Sequence, residues 1–195
     1  MSMPVRRRFL VLLSVLSLTA CATNQFTGTQ VASSGVSLKN ARLQVYSFLD
    51  IRDVEFGPQM LNEVDRQLAA ALSAESVQVR TLRFKESEPG KYFSSTNAGV
   101  RVPVGETISS NRVEEREFPA DLRLIVFPSK MTLSGAWKFY DVRWELQDVN
   151  TGRIVWTTTS HGKHLNAWKN DENPEERAKT IVDGIMNEFR GSKAL

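Results

Sequence analysis

Cysteine is nearly absent from this sequence. Cys21 is the only one among the 195 residues, so no disulfide can form within the chain. In an oxidising compartment a leftover thiol is a liability unless it is capped. The position of Cys21, close behind an apolar stretch near the amino terminus, therefore needs a chemical explanation.

An excess of basic charge is also absent, although the formal net charge is +3. The only charges in residues 1–20 are three arginines, at positions 6–8. Without them the 25 Lys and Arg fall to 22, which equals the 22 Asp and Glu. A neutral domain has no overall basic field for phosphate groups, so nucleic acid is not an expected partner.

Long apolar runs are missing as well. The run Phe9–Leu18 would span about 15 Å as a helix, half of the ~30 Å hydrocarbon core of a bilayer. With the arginines in front of it, this run has the pattern of a secretory signal peptide and not of a membrane-spanning helix. No stretch of residues 22–195 is apolar for long enough to cross a membrane.

The signal ends in Leu18-Thr19-Ala20-Cys21, which resembles the lipobox of bacterial lipoproteins. This pattern predicts cleavage after Ala20 and a diacylglycerol and an N-acyl chain on Cys21, which would cap the thiol and give stable anchoring. No other cofactor is predicted. The alanine at position 22 resembles the outer-membrane sorting pattern, so we expect an outer-membrane anchor facing the periplasm. The alternative is an ordinary secretory peptide followed by an unmodified core cysteine.

The composition predicts one mature domain. Residues 1–20 are the predicted lipoprotein signal peptide. Residues 21–39 are small and polar, with two glycines, and are predicted to be the lipidated cysteine and a flexible tether. Residues 40–195 are expected to form a single periplasmic domain, because 41% hydrophobic and 24% charged residues are ordinary for a globular protein.

Periodicity predicts the order β-α-β-(α)-β-β-β-α. This is an α+β fold of two layers, with a mixed sheet of about five strands and helices mainly on one face. Residues 41–49, 58–73 and 77–84 form its first β-α-β unit, which implies a parallel strand pair. A weaker helix is predicted over residues 103–115, and a strongly amphipathic one begins after Asn173, a good N-cap.

Three further strands follow the weak helix. Residues 121–127 are almost all apolar, which predicts a central strand that ends at Pro128. Residues 137–148 and 153–160 alternate between apolar and polar. We expect them to pair as a hairpin, with Gly152 at the position of positive φ in its turn.

Two stretches carry a resemblance to known families. Ala120–Val126 enters its strand as Ala-Asp followed by an apolar run, and Trp144–Trp156 contains Asp-Val-Asn-Thr-Gly-Arg-Ile-Val-Trp. With the lipobox and the order of elements, they resemble the curli-assembly lipoproteins, the penicillin-binding-protein activator lipoproteins and the amino-terminal domain of the Tol-system β-propeller protein. The resemblance implies the fold and the compartment. It implies no functional residue, since both motifs serve folding.

Catalytic constellations are missing. The sequence has no Gly-x-Ser-x-Gly and no glycine-rich phosphate loop, and a lipidated Cys21 is not available as a nucleophile. We therefore expect no enzyme and no catalytic residue. Asp50 and Asp53 follow a strand of the parallel pair, where active groups often lie, although turn chemistry and capping explain them as well.

Histidine is rare too. His161 and His164 are the only two, and with Asp171 or Glu172 they would be the sole candidates for a metal site. The ligands are few and match no known spacing. We predict solvated histidines at a strand end and a loop, and no bound metal.

The four tryptophans divide into two pairs. Trp144 and Trp156 share the apolar face of the hairpin and are predicted core residues. The other two lie near loops and beside lysines, and tryptophan is enriched at interface hot spots. They form a candidate rim for a partner protein, with partial burial at strand and loop edges as the alternative. The candidate residues are Trp137, Lys138, Trp168 and Lys169.

The predicted function is a lipid-anchored periplasmic protein-interaction module in envelope assembly or regulation. One alternative is an auxiliary lipoprotein of a lipid or small-molecule transport system, with an apolar cavity under residues 85–120. The other is a periplasmic hydrolase built on Asp50, Asp53 or the histidines.

Overall fold

A six-stranded mixed sheet forms the centre of the protein. The computed structural model describes residues 25–31, 36–50, 57–85, 103–134, 137–165 and 173–195. The strands are β1 (Gln25–Val31), β2 (Arg42–Asp50), β3 (Gln78–Lys85), β4 (Leu122–Ser134), β5 (Trp137–Asp148) and β6 (Ile154–Leu165). The helices are α1 (Pro58–Ala74), α2 (Val104–Ser110), α3 (Arg112–Glu117) and α4 (Pro174–Gly191). Among these elements no helix is both long and apolar enough to cross a membrane.

The sheet has the strand order β1-β6-β5-β4-β2-β3. β2 pairs in parallel with both β3 and β4, whereas β4–β5, β5–β6 and β1–β6 are antiparallel. The predicted α+β fold with a mixed sheet is confirmed, with six strands where about five were expected. The additional strand is β1, so the prediction of a flexible tether is wrong for residues 25–31.

The main core lies between one face of the sheet and the two long helices. The predicted apolar stripes of both helices are confirmed, because each places its 3.6-spaced side chains against alternate residues of β2, β4 and β5. Trp144 and Trp156 are 1% and 0% exposed, as predicted. Their indole N–H groups donate to Ser160 Oγ at 3.0 Å and Ser192 Oγ at 2.9 Å, which satisfies both buried donors.

A smaller core covers the opposite face of β2 and β4. Tyr46, Phe48 and Ile125 are buried there against α2, where the sequence predicts a weak helix. That helix is broken at Asn111, which separates α2 from α3. Glu115 of α3 accepts hydrogen bonds from Tyr46 Oη at 2.8 Å and Arg123 Nε at 3.0 Å. Burial, followed by the hydrogen bond to Glu115, raises the pKa of Tyr46.

Both motif stretches have a structural role. Asp121 accepts hydrogen bonds from the backbone N–H of Arg42 at 2.9 Å and from its guanidinium at 2.8 Å, which fixes the start of β2 beside β4. These bonds lower the pKa of Asp121 to about 2. In the hairpin, Asp148 accepts from the N–H of Thr151 at 2.7 Å, and Gly152 has the predicted positive φ, 67°. Asn173 is confirmed as the N-cap of α4, since its side chain accepts from the N–H of Glu175.

Two strands are longer than the sequence predicts. β4 continues through Pro128 to Ser134, because a register shift between Pro128 and Lys130 accommodates a residue that cannot donate to the ladder. β6 continues past Ser160 to Leu165. The two extensions and the first residues of β5 form a three-stranded projection, called the arm below, which consists of residues 130–134, 137–141 and 161–165.

Strand β1 is held to the rest of the domain through Gly184 of α4. A Cβ atom at position 184 would overlap the ring of Phe26, so the absent side chain makes the space into which this ring packs. On the same side of the sheet, Thr29 Oγ1 lies 2.9 Å from Thr158 Oγ1 and also bonds to Glu188. The edge strand is therefore attached by side chains as well as by its ladder.

We expect Gly184→Ala to loosen β1. In an exposed helix interior this change would add up to about 1 kcal/mol of stability, because alanine is the better helix former. Here the new methyl group should displace Phe26, so the amides of residues 25–31 should exchange faster while those of β4 and β5 stay protected. Hydrogen exchange followed by mass spectrometry measures both. Gly191→Ala in the same helix is the matched control, since a Cβ there meets nothing within 4 Å. Unchanged exchange of β1 in Gly184→Ala would contradict the prediction.

Candidate functional site

The predicted site residues fall in different parts of the chain. Ala20, Cys21, Trp168 and Lys169 lie outside the described residues, so cleavage, lipidation and half of the candidate rim stay predictions. The backbone of Trp137 pairs with Ser134 and Leu165, and that of Lys138 with Leu133 and His164. These two residues therefore lie at the end of the arm.

His161 is the centre of a hydrogen-bonded chain of three side chains. Its Nδ1 lies 2.6 Å from Asp141 Oδ1 on β5, and its Nε2 lies 2.6 Å from Thr27 Oγ1 on β1. The prediction of a strand end is wrong for His161, because β6 extends beyond this residue, but its side chain is 41% exposed and both ring nitrogens have partners. His164 is also in β6, and Asp171 and Glu172 lie outside the described residues. Within the described ranges no three metal-ligating side chains come together.

The chain of Thr27, His161 and Asp141 connects three strands across one face of the sheet. A hydroxyl, an imidazole and a carboxylate in this order have the connectivity of a nucleophile, a base and an orienting group. The geometry also has a simpler consequence. Asp141 and His161 are cross-strand partners, as are His161 and Gln25, so the chain attaches β1 to β5 through β6.

A shallow groove of about 350 Å³ runs along the arm beside this chain. Phe139 is 42% exposed there, although it is a large apolar side chain. On the opposite face of the arm the ring of Tyr140 covers Gly162, where a Cβ would overlap the ring. The groove is lined by Lys130, Thr132, Phe139, Asp141, His161 and Gly162.

A second groove of about 610 Å³, called the distal groove below, lies at the other end of β1. It has two exposed apolar side chains, Val31 at 47% and Ile154 at 43%. Ile154 is exposed although Trp156, two residues further along β6, is buried, because the register of β5 and β6 shifts after Leu146. Arg143 provides a cation there and donates to Glu145 Oε1 at 3.2 Å. The distal groove is lined by Gln30, Val31, Arg143, Ile154, Trp156 and Thr157.

Asp50 is not part of either groove. It ends β2 in register with Lys85, whereas β4 and β5 separate β2 from β6 and its His161. Three strand spacings of about 4.8 Å put more than 10 Å between them, so the two do not act on one bond. Asp53 lies outside the described residues.

Sequence reasoning missed Thr27, Asp141 and both grooves. Each depends on β1 or on the extension of β6, which have no strong apolar period. A weak signal for β1 was available, because Phe26, Thr27, Thr29 and Val31 are all residue types enriched in strands.

We expect Thr27 and His161 to be energetically coupled. Thr27→Val and His161→Gln should each speed hydrogen exchange of the β1 amides. The double variant should lose less free energy of unfolding than the sum of the losses of the two single variants. A coupling free energy of about 1 kcal/mol is typical of one hydrogen bond and is measured by a double-mutant cycle on chemical denaturation. Thr27→Ser keeps the hydroxyl and should behave like the wild type. Additive effects of the two variants would show that the bond contributes nothing.

Comparison with known proteins gives only a weak likeness. No protein-family model and no curated protein matches the sequence. Among solved structures, the PelC dodecamer from Paraburkholderia phytofirmans has a TM-score of 0.48 and 15% identity, covering 85% of this chain and 97% of that one. Lipoprotein GNA1162 from Neisseria meningitidis has 0.41 and 15%, covering 75% and 99%.

A minor lipoprotein from Acinetobacter baumannii has a TM-score of 0.28 and 13% identity, covering 75% of this chain and 94% of that one. None of these structures is described as a curli-assembly, penicillin-binding-protein activator or Tol protein, so that resemblance stays a prediction. Likenesses at this level carry no information about the activity or partners of this chain. The solved structures with a partly similar fold include proteins named as bacterial lipoproteins.

Proposed function

We propose that the chain is a lipid-anchored lipoprotein on the periplasmic side of the outer membrane, where it binds a protein of the cell envelope. The observation that carries the anchor is Leu18-Thr19-Ala20-Cys21 behind a basic and apolar leader, with the only cysteine of the chain at the acceptor position. The proposed role is to hold a partner near the membrane, without chemistry of its own.

The distal groove is the surface that best fits a protein partner. Val31 and Ile154 are two exposed apolar side chains in the lining of this groove, and Arg143 lines it as well. Arginine is enriched at protein interfaces, and the buried centre of an interface is more apolar than the rest of the protein surface. A segment with an apolar side chain followed by a carboxylate would match this groove.

The position of the distal groove also suits a tethered module. β1 starts four residues after Cys21 and ends at Val31, in the wall of the groove. Six residue steps of about 3.3 Å put the groove roughly 20 Å further from the anchored end of the strand. A partner would therefore be held on the side of the domain that is remote from the anchor.

The transport alternative receives no support from the described part of residues 85–120. α2 packs directly on the smaller core of Tyr46, Phe48 and Ile125. Both grooves that the structure does describe lie on β4, β5, β6 and β1.

We expect Cys21→Ala to abolish membrane anchoring. Without the thiol no diacylglycerol can be added, so the mature lipidated form should disappear from the membrane fraction. Cell fractionation together with intact-mass measurement checks this, since the wild type should carry the mass of the acyl chains. The matched control is Thr19→Ala, which keeps the small residue in the lipobox. Unchanged processing and membrane association of Cys21→Ala would refute the anchor.

We expect a photo-crosslinking residue at Ile154 to capture a specific envelope protein in intact cells. Val113 on α3 is the matched control, because it is an apolar side chain of even greater exposure, 61%, outside the groove. Adducts should form from position 154 and be lost on Arg143→Glu. Equal adducts from positions 154 and 113 would show that exposure alone explains capture and that the groove is not the binding surface.

A further inference from the structure

We infer that the end of the arm rests on the phospholipid surface, so that the protein meets the membrane with its sheet as well as with its lipid. This inference rests on the proposed anchor at Cys21. The proposed binding partner of the arm is the headgroup region of a bilayer. The inference also implies which end of the domain faces the membrane.

The first argument is the length of chain between the anchor and the sheet. Cys21 is four residues before Gln25, and four residues reach at most about 14 Å. Gln25 pairs with His161, which is the first arm residue of β6. Whatever path the connection takes, the base of the arm is within about 20 Å of the lipidated residue once one strand spacing of ~4.8 Å is added.

The second argument is direction. β1 and β6 are antiparallel, so β6 continues beyond His161 toward the side from which the chain enters β1. From the pair Asp141–His161 to the pair Trp137–Leu165 the arm extends four more residues, about 13 Å. The arm therefore extends toward the side of Cys21 by nearly as much as the four residue steps from Cys21 to Gln25 can span.

The third argument is the chemistry of the arm. Phe139 is a large exposed apolar side chain, and Trp137 occupies the terminal register position. Aromatic residues with lysines are the types enriched where a protein meets the interface of a bilayer. The turn at the opposite end of the hairpin, residues 148–153, contains no aromatic residue.

Charge favours the same surface. The arm contains three lysines, at positions 130, 138 and 163, of which Lys130 and Lys163 are exposed. Its only acidic residue is Asp141, whose carboxylate is held by His161. A basic end on a domain that is neutral overall is attracted to anionic phospholipid within about a Debye length of the surface. Both the charge and the short connection favour lipid over a protein as the occupant.

The experiment uses single introduced cysteines in the full-length mature protein, in which Cys21 is blocked by its lipid. Phe139→Cys and Thr132→Cys place a fluorophore on the arm, since Thr132 is the exposed cross-strand partner of Phe139. Ile154→Cys is the matched control, because it is exposed to 43% against 42% for Phe139 and lies in the distal groove. Each protein is reconstituted in vesicles of phosphatidylethanolamine and phosphatidylglycerol that contain a headgroup spin-labelled lipid.

Quenching of the fluorophore by the spin-labelled lipid should be several-fold stronger at positions 132 and 139 than at 154. Equal quenching at the three positions, or none at 132 and 139, would overturn the inference while leaving the anchor intact. An arm label that is shielded only in native envelopes, and not in pure lipid vesicles, would identify a protein as the occupant and also overturn it. Intact mass separates the two proposals, since a mature chain without acyl chains would remove the anchor and this inference together.

Discussion

The attachment of β1 to β6 is the interaction on which the distal groove and the side-chain contacts of His161 depend. The strand is seven residues long, lies at the edge of the sheet and carries no charge. Its side-chain contacts include Phe26 in the space left by Gly184, Thr27 with His161, and Thr29 with both Thr158 and Glu188. Without β1 the distal groove would lose one wall, His161 would lose a partner, and the chain between Cys21 and the next described element would be longer.

The two faces of the sheet differ in how much of each is buried. One face buries Trp144 and Trp156 under α1 and α4, with both indole N–H groups satisfied by serine hydroxyls. Among the described residues, the other face is covered over β2, β3 and β4, where the smaller core lies. Arg143, Thr159 and His161 are left on the uncovered part, and they make cross-strand hydrogen bonds there. Most of the buried apolar side chains thus lie on one face of the sheet, and a smaller buried cluster lies on the other.

The elements with a strong apolar period were predictable from the sequence, and those stabilised by long-range partners were not. The stripes of α1 and α4, the buried strand β4 and the turn at Gly152 follow from local spacing and turn chemistry. β1 has little to bury, so its seven residues resemble a tether until β6 is there to pair with. A proline normally ends a strand, but β4 continues past Pro128 because its pairing register with β5 shifts there. The chain of Thr27, His161 and Asp141 spans 134 positions of sequence, which no local pattern reveals.

The orientation of β1 has a mechanical consequence. For a chain anchored at Cys21 as proposed, any pull from a partner in the distal groove is transmitted through β1 to the membrane. The membrane would pull on the amino-terminal end of the strand, and the partner would pull near its carboxyl-terminal end. Such a force acts along the strand axis, so all hydrogen bonds between β1 and β6 are sheared together and none is opened first. A seven-residue edge strand can then resist tension that would peel it away if the load acted sideways.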